Sequence, residues 1–155
     1  MLGDSRDGAG SGSVYVFTRS GSTCTQQQKL TAIVSVRRAP CGIPVAITRL
    51  FGFPGDDSDN TSSGSVYVFT RSGSTWTQQQ KLTASDAATL DYFGISVAIS
   101  GDTVVTGASR DNIDSGSAYV FTRSGSTWTE QQKLTASDGE RDDFFGISVA
   151  ISSDT

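Results

Sequence analysis

The sequence predicts an all-β fold built from three copies of one unit. Gly12-Ser13-Val14-Tyr15-Val16-Phe17 recurs at residues 64–69 and, with one change, at residues 116–121, so each offset is 52 residues. A second segment, Gly-Ile-x-Val-Ala-Ile, recurs with the same offset from Gly42, Gly94 and Gly146. A fixed period of this kind is typical of repeat proteins, in which each unit stacks on the next.

The third unit shows four candidate strands, at residues 93–99, 103–106, 117–121 and 127–134. Residues 93–99 alternate large and small side chains, as expected of a strand with a close neighbour on its small side. Ser100-Gly101-Asp102 is a turn signal between the first two strands. Residues 117–121 carry apolar side chains on both faces, which predicts a strand between two layers. The fourth strand is polar in its middle, and its glutamines and lysine favour an outer edge.

Four antiparallel strands in each unit favour β-propeller blades: three four-stranded antiparallel repeats of 52 residues, in a partial or an assembled propeller. A β-solenoid is the alternative, but its coils are shorter. Residues 1–155 then form a single repeat array, with units at about 1–40, 41–92 and 93–144. The first unit is split, and residues 145–155 complete it in the repeat pattern. Three alternatives remain for the missing blades: the rest of a longer chain, a head-to-tail homodimer that closes a ring, or an open arc.

Three segments of the third unit resemble the FG-GAP repeat: Phe93-Gly94-Ile95-Ser96-Val97-Ala98-Ile99, Gly107-Ala108-Ser109 and Ser115-Gly116-Ser117-Ala118-Tyr119-Val120-Phe121. That repeat builds the propeller at the head of integrin α subunits and occurs in many extracellular proteins. The resemblance implies a propeller fold, a place outside the cell or on its surface, and a non-enzymatic adhesion or recognition role toward a protein or glycan ligand. The integrin-type calcium loop, with Asp at alternating positions followed by Gly, is present in none of the copies.

The composition excludes several classes of function. The chain has no histidine, which excludes catalysis by Ser-His-Asp or Cys-His and metal binding by imidazole. The formal charge is −4 and the basic residues are scattered, so no nucleic-acid-binding stripe is predicted. The apolar runs are much shorter than the roughly 18 residues of a membrane span. Residues 1–4 lack the basic and apolar regions of a secretory signal.

The acidic loops are the candidates for chemistry. Clustered carboxylates are calcium ligands, so the calcium candidates are Asp56, Asp57, Asp59, Asp111 and Asp114. The alternative interpretation is that these residues simply favour turns. No other cofactor is predicted. The clusters recur from unit to unit, whereas a catalytic pair of carboxylates is usually unique, so we expect no enzyme activity.

Part of the first two units departs from the repeat between Ile33 and Pro54. The length is kept but the residues are unrelated, which indicates local divergence or a compensated frameshift. Cys24 stands where the other copies have tryptophan, and Cys41 where they have phenylalanine. The first unit is therefore expected to pack less well, with roughly 3 kcal/mol lost at each position if it is buried. The two cysteines are expected as free thiols, with a mutual disulfide as the alternative.

Two hypotheses for function follow from these observations. The first is an extracellular binding or adhesion module that uses loops at one end of the propeller, since those loops differ between units while the strands do not. The second is a structural repeat block of a surface coat or filament, which assembles head to tail.

Overall fold

A computed structural model of the chain describes residues 2–4, 13–30, 50–53 and 63–152. Its elements, in chain order, are the strands β1 (Leu2–Asp4), β2 (Ser13–Ser20), β3 (Thr23–Leu30), β4 (Leu50–Phe53), β5 (Ser65–Ser72), β6 (Thr75–Leu82), β7 (Phe93–Ser100) and β8 (Thr103–Ala108), the single turn α1 (Asp111–Asp114), and the strands β9 (Ser117–Ser124) and β10 (Thr127–Leu134).

The strands form three antiparallel sheets, so the predicted all-β class is confirmed. The first sheet has the order β1-β2-β3, the second β4-β5-β6 and the third β10-β9-β8-β7. Residues 41–48, where the first strand of the second unit is predicted, lie outside the described residues. The third sheet contains all four strands that the sequence predicts, at nearly the predicted bounds.

The third sheet follows from the residue pattern of its strands. Phe93 pairs with Ala108 and Ser96 with Gly107, so the two residues between Phe93 and Ser96 form a bulge in β7. The small side of β7 does have a close neighbour: the Ser96 hydroxyl donates to the carbonyl oxygen of Gly146 at 2.6 Å. β9 is buried on both faces, as its apolar pattern predicts. One core joins the second and third sheets and consists of Val66, Val68, Leu82, Ala84, Phe93, Val97, Val104, Ala108, Tyr119, Phe121 and Trp128.

Glycines lie where the second sheet meets the third. Gly64 forms a parallel bridge with Phe93, and the N–H of Phe93 donates to the carbonyl oxygen of Ser63 at 2.8 Å. An added Cβ at Gly64 would lie 2.1 Å from the carbonyl oxygen of Phe93, and the φ of Gly64 is +96°. Both the close approach and the positive φ require glycine. Gly116 and Phe145 repeat this contact one unit later.

The second sheet has a different register from the other two. β8 pairs Gly107 with Ala118, and β1 pairs Gly3 with Val14 at the equivalent position. In β4 the residue at this position, opposite Val66, is Gly52 rather than the repeat equivalent Gly55. The strand has therefore slipped by three residues. In the unslipped register Pro54, which has no N–H, would stand in the ladder. The slip places another glycine, Gly52, at this ladder position. At the equivalent position in the third sheet, Gly107, an added Cβ would clash with a backbone carbonyl oxygen.

The structure corrects one expectation about the first unit. Trp76 and Trp128 are buried, but Cys24, at the same repeat position, is exposed and carries a free thiol. The expected loss of packing energy required a buried site, so it does not apply at Cys24. Cys41 and most of the divergent segment lie outside the described residues, so the expectation of a free thiol at Cys41 stays a prediction.

Candidate functional site

The candidate site lies at one end of the third sheet, formed by the connections at residues 85–92 and 109–116. We call this end of the sheet the loop end. β7 and β8 are joined by a tight turn, as are β9 and β10, and both turns lie at the opposite end of the sheet. The longer connections, residues 85–92 before β7 and residues 109–116 between β8 and β9, therefore meet at the loop end. This position follows directly from antiparallel pairing.

Two exposed aliphatic side chains at the loop end stand on strained backbone. Ile113 is 72% exposed and has a φ of +60°, and Leu90 is 48% exposed and has a φ of +71°. Asn112 and Asp114 also have positive φ, so α1 is a left-handed turn. A β-branched residue rarely adopts this conformation, which costs about 1–2 kcal/mol for an L-residue. Ile113 in particular buries too little of its side chain to offset that strain.

The two connections brace each other through Arg110. Its backbone N–H donates to the carbonyl oxygen of Asp91 at 3.2 Å, and its guanidinium lies over the Tyr92 ring, 4.9 Å from the ring centre. The same guanidinium lies 3.8 Å from the carboxylate of Asp114. The Asp91 carboxylate in turn accepts a hydrogen bond from the N–H of Ala88 at 2.6 Å. These contacts hold both strained segments in one arrangement.

A polar cluster lies beneath the loop end and joins the second unit to the third. The ammonium group of Lys133 lies 2.7 Å from Asp86 and 2.5 Å from Asp111. The hydroxyl of Tyr119 donates to Asp86 at 2.8 Å and lies 3.3 Å from Asp111. Lys133 also lies over the Tyr119 ring. Asp86 belongs to the connection before β7, whereas the other three residues belong to the third unit, so the cluster ties the two units together.

The environment of the cluster changes the pKa of three of its members. Burial alone would raise the pKa of the Asp86 carboxyl, but hydrogen bonds from Lys133 and Tyr119 outweigh it and lower that pKa. Burial alone would lower the pKa of Lys133, but its bonds to Asp111 and Asp86 raise it. Burial raises the pKa of Tyr119, as does its hydrogen bond to Asp86. Nearby, burial raises the pKa of Asp91.

Lys133→Met is expected to lower the free energy of unfolding at neutral pH by about 1–2 kcal/mol, because it leaves Asp86 and Asp111 without their cation in a partly exposed site. The raised pKa of Lys133 stabilises the native chain below its unfolded-state pKa, and this contribution is lost as the pH rises through the folded-state pKa. The variant should therefore lack that alkaline decline. The lowered pKa of Asp86 gives stability above its unfolded-state value, which disappears as the pH falls. Without Lys133 the pKa of Asp86 is no longer held down by that bond, so the variant should lose less stability than the wild type as the pH falls, and the difference between the two should narrow on the acid side as well.

Urea unfolding at a series of pH values checks both limbs of this prediction. Arg141→Met is the control, since Arg141 is exposed and its only ion pair in the described part of the chain is a 4.0 Å contact with Asp142. The control should change stability by no more than a few tenths of a kcal/mol. Equal pH profiles for Lys133→Met and the wild type would contradict the assignment of the cluster.

The calcium candidates are only partly covered by the structure. Asp56, Asp57 and Asp59 lie outside the described residues, and calcium binding there stays a prediction. The carboxylate of Asp111 contacts Lys133 and Tyr119, and that of Asp114 faces Arg110. A calcium ion at either residue would have to compete with a cationic side chain. Within the described ranges, no group of three or more acidic or cysteine residues is arranged to hold a metal ion.

The glutamines of the outer strands have a role that the sequence did not predict. The Gln80 side chain accepts from the backbone N–H of Trp128 and donates to its carbonyl oxygen, both at 2.8 Å. Gln28 makes the same pair of bonds to Trp76, at 2.8 and 3.0 Å. A bulge precedes both glutamines on the strand. These side chains therefore connect neighbouring units, whereas the sequence suggested only that they discourage edge pairing. Their recurrence every 52 residues was the available signal.

Comparison with known families identifies part of the chain. Residues 76–121 and 128–155 match the family described as FG-GAP repeat. No curated protein matches the chain. Among the described residues, no helix has the length and apolar character needed to cross a bilayer.

Proposed function

The chain carries FG-GAP repeats, and from that premise we propose that its three sheets are blades of a β-propeller that serves as a non-enzymatic, extracellular binding module of the adhesion type. FG-GAP repeats typically occur in extracellular binding propellers. The antiparallel sheets, the 52-residue period and the contacts between successive units support this proposal. The proposed binding surface is the loop end of the third sheet.

One observation carries the proposal: Ile113 is exposed and its backbone is in a left-handed conformation. Folding gains nothing from an aliphatic side chain there, since glycine would fit the backbone without strain and without exposing apolar surface. Strained residues that the surrounding structure holds in place concentrate at ligand-binding sites. Leu90 shows the same combination on the neighbouring connection, and Arg110 holds the two connections together.

The side chains favour a protein ligand over a glycan. Sugars bind to exposed aromatic faces, but the ring of Tyr92 at the loop end is covered by Arg110. The exposed groups are instead two aliphatic side chains beside a guanidinium, a combination that suits the buried centre and polar rim of a protein interface. The proposed ligand is therefore a protein that offers an apolar contact next to an acidic group.

Ile113→Gly tests this function because it should separate binding from folding. The substitution removes the exposed side chain and relieves the backbone strain, so we expect the free energy of unfolding to rise by about 1 kcal/mol. We also expect affinity for the ligand to fall about tenfold or more. Binding is measured on panels of purified extracellular proteins and of glycans, and the affinity of each positive protein is then determined by calorimetry.

The matched control is Ser126→Gly, an exposed position in the turn at the opposite end of the third sheet. It should leave the affinity unchanged. Leu90→Gly, at the second strained position, should weaken binding as Ile113→Gly does. The proposal fails if no protein on the panel binds, if only glycans bind, or if the loop-end variants bind as tightly as the wild type.

A further inference from the structure

The first sheet and the segment after the third sheet expose complementary apolar groups. In the third sheet, Phe93 is fully buried and packs edge-on against Tyr119 and Phe121, with ring centres 5.4 and 6.0 Å apart. Phe145, one repeat after Phe93, is 37% exposed. In the first sheet, Tyr15 and Phe17 occupy the positions of Tyr119 and Phe121 but are only half-buried. The three ring positions of this aromatic trio are thus divided between Phe145, which is exposed, and Tyr15 and Phe17, which are half-buried.

The backbone is divided in the same way. In the third sheet β7 lies along the outer side of β8, whereas in the first sheet β1, the counterpart of β8, is an edge strand. The register of β1 against β2 matches that of β8 against β9. Residues 145–152, the counterpart of β7, have no strand pairing beyond the bridge of Phe145 to Gly116 in the described structure. An edge strand and an unpaired segment of the same repeat are able to complete one sheet.

Polar groups on the two faces also correspond. Gln132 and Asp138 are exposed and stand one repeat after Gln80 and Asp86, which bind the third sheet. The equivalent partner of Gln132 is the Cys24 backbone, and the equivalent partners of Asp138 are Tyr15 and Lys29, because these residues hold the repeat positions of Trp128, Tyr119 and Lys133. The carboxylate and the ammonium group carry opposite charges, as Asp86 and Lys133 do.

We propose that the face carrying Phe145, Gln132 and Asp138 binds the first sheet of a second copy of this chain. Residues 145–152 of one copy add to the edge of β1 that has no partner among the described strands of the next copy, in the place that β7 has beside β8. Phe145 then packs against Tyr15 and Phe17, Gln132 binds the Cys24 backbone, and Asp138 contacts Tyr15 and Lys29. This inference goes beyond ligand binding at the loop end and does not depend on it.

The second copy is the chosen occupant because its first sheet supplies, in register, the partners of Phe145, Gln132 and Asp138. Within the chain, the first unit lacks the polar side chains that join the second unit to the third, since Ile33 and Val34 stand at the repeat positions of Ser85 and Asp86. Ser85 donates two hydrogen bonds to the carboxylate of Glu130, from its N–H at 2.9 Å and from its hydroxyl at 2.8 Å. The exposed face keeps Ser137 and Asp138 at these positions. Because the two faces differ, the contact is head to tail, and its repetition gives either a ring or a longer assembly.

Sedimentation velocity of the 155-residue chain under reducing conditions tests the inference, since a Cys24 disulfide cannot then contribute. The wild type is expected to show a mass of twice 16.3 kDa or a higher multiple as concentration rises. Asp138→Lys and Lys29→Asp should each weaken association by about tenfold to a hundredfold. An equimolar mixture of the two variants should associate again, because each provides the charge that the other lacks.

Two controls keep the result specific. Glu140→Lys makes the same charge change in the same loop, at the repeat position of Ala88, whose side chain makes no polar contact, and it should associate as the wild type does. Ile113→Gly should also keep the wild-type mass, so that self-association and ligand binding fail independently. Far-UV circular dichroism confirms that each variant is folded. A folded wild type that stays monomeric at all concentrations overturns the inference, as does equal association of Asp138→Lys, Lys29→Asp and the wild type.

Discussion

Gly64→Ala is expected to lower the free energy of unfolding by about 3 kcal/mol or more. The new Cβ would lie 2.1 Å from the carbonyl oxygen of Phe93 and 2.7 Å from its nitrogen, and both are backbone atoms that no rotamer change moves away. The positive φ of Gly64 adds strain for any L-residue. Relief of the clash requires the second and third sheets to separate, which disrupts the hydrogen bond from Phe93 to Ser63 and opens the shared core. Urea unfolding followed by circular dichroism measures the effect.

Gly73→Ala is the matched control for this prediction. Gly73 also has a positive φ, of +59°, but an added Cβ would have no neighbour within 4 Å. It should therefore cost only about 1 kcal/mol, from backbone strain alone. The difference between the two variants isolates the close approach of the second and third sheets. Equal effects would mean that the sheets do not meet at Gly64.

Phe93→Ala is expected to lower the free energy of unfolding by about 3–5 kcal/mol, because the ring is fully buried between Tyr119 and Phe121 and the substitution leaves a cavity. The edge-on contacts of the three rings add to the loss. Thermal and urea unfolding should agree on the direction. Intrinsic fluorescence is a less suitable readout, since Trp128 belongs to the same core and reports only its own surroundings.

Phe145→Ala makes the same change one repeat later and serves as the control. Phe145 is partly exposed, so its removal should cost about 1 kcal/mol or less in a sample dilute enough to be monomeric. A comparable loss at both positions would contradict the description of residues 145–152 as uncovered. A small loss at Phe93 would contradict its place in the core.

The fold of the third unit was predictable because each of its strands satisfies several sequence rules at once. The alternation of Phe93, Ile95 and Val97 with small residues, the turn signal at Gly101 and the apolar run around Tyr119 all agree with the observed strands. The register slip of β4 was not predictable from the repeat alone. The repeat alignment alone would pair Gly55 with Val66 and so place Pro54 in the ladder. The observed register pairs Gly52 with Val66 instead, and this choice depends on contacts with β5 that the sequence of β4 alone does not reveal.

The loop end was predictable only in outline. The sequence identified the variable loops and their carboxylates, but it did not show that Asp111 is buried beside Lys133, because this contact joins a connection to a residue of β10 that lies more than 20 residues further along the chain. It also gave no sign that Ile113 is exposed, since an isoleucine in a loop ordinarily suggests burial. The glutamine contacts between units were missed because glutamine in an outer strand has an adequate explanation as a solvated residue.

The slipped register of β4 has a consequence for how such arrays change over time. Eleven residues separate β4 from β5, whereas eight separate β8 from β9, although the two units have the same total length. Sliding one strand by three positions has thus transferred three residues into the connection that includes Asp56, Asp57 and Asp59, without any insertion. The glycine opposite Val66 in the ladder is therefore Gly52 and not Gly55. Loop length in one unit is thereby able to vary while the spacing of all the others is preserved, which offers a repeat protein a route to new surface shapes that leaves its neighbours undisturbed.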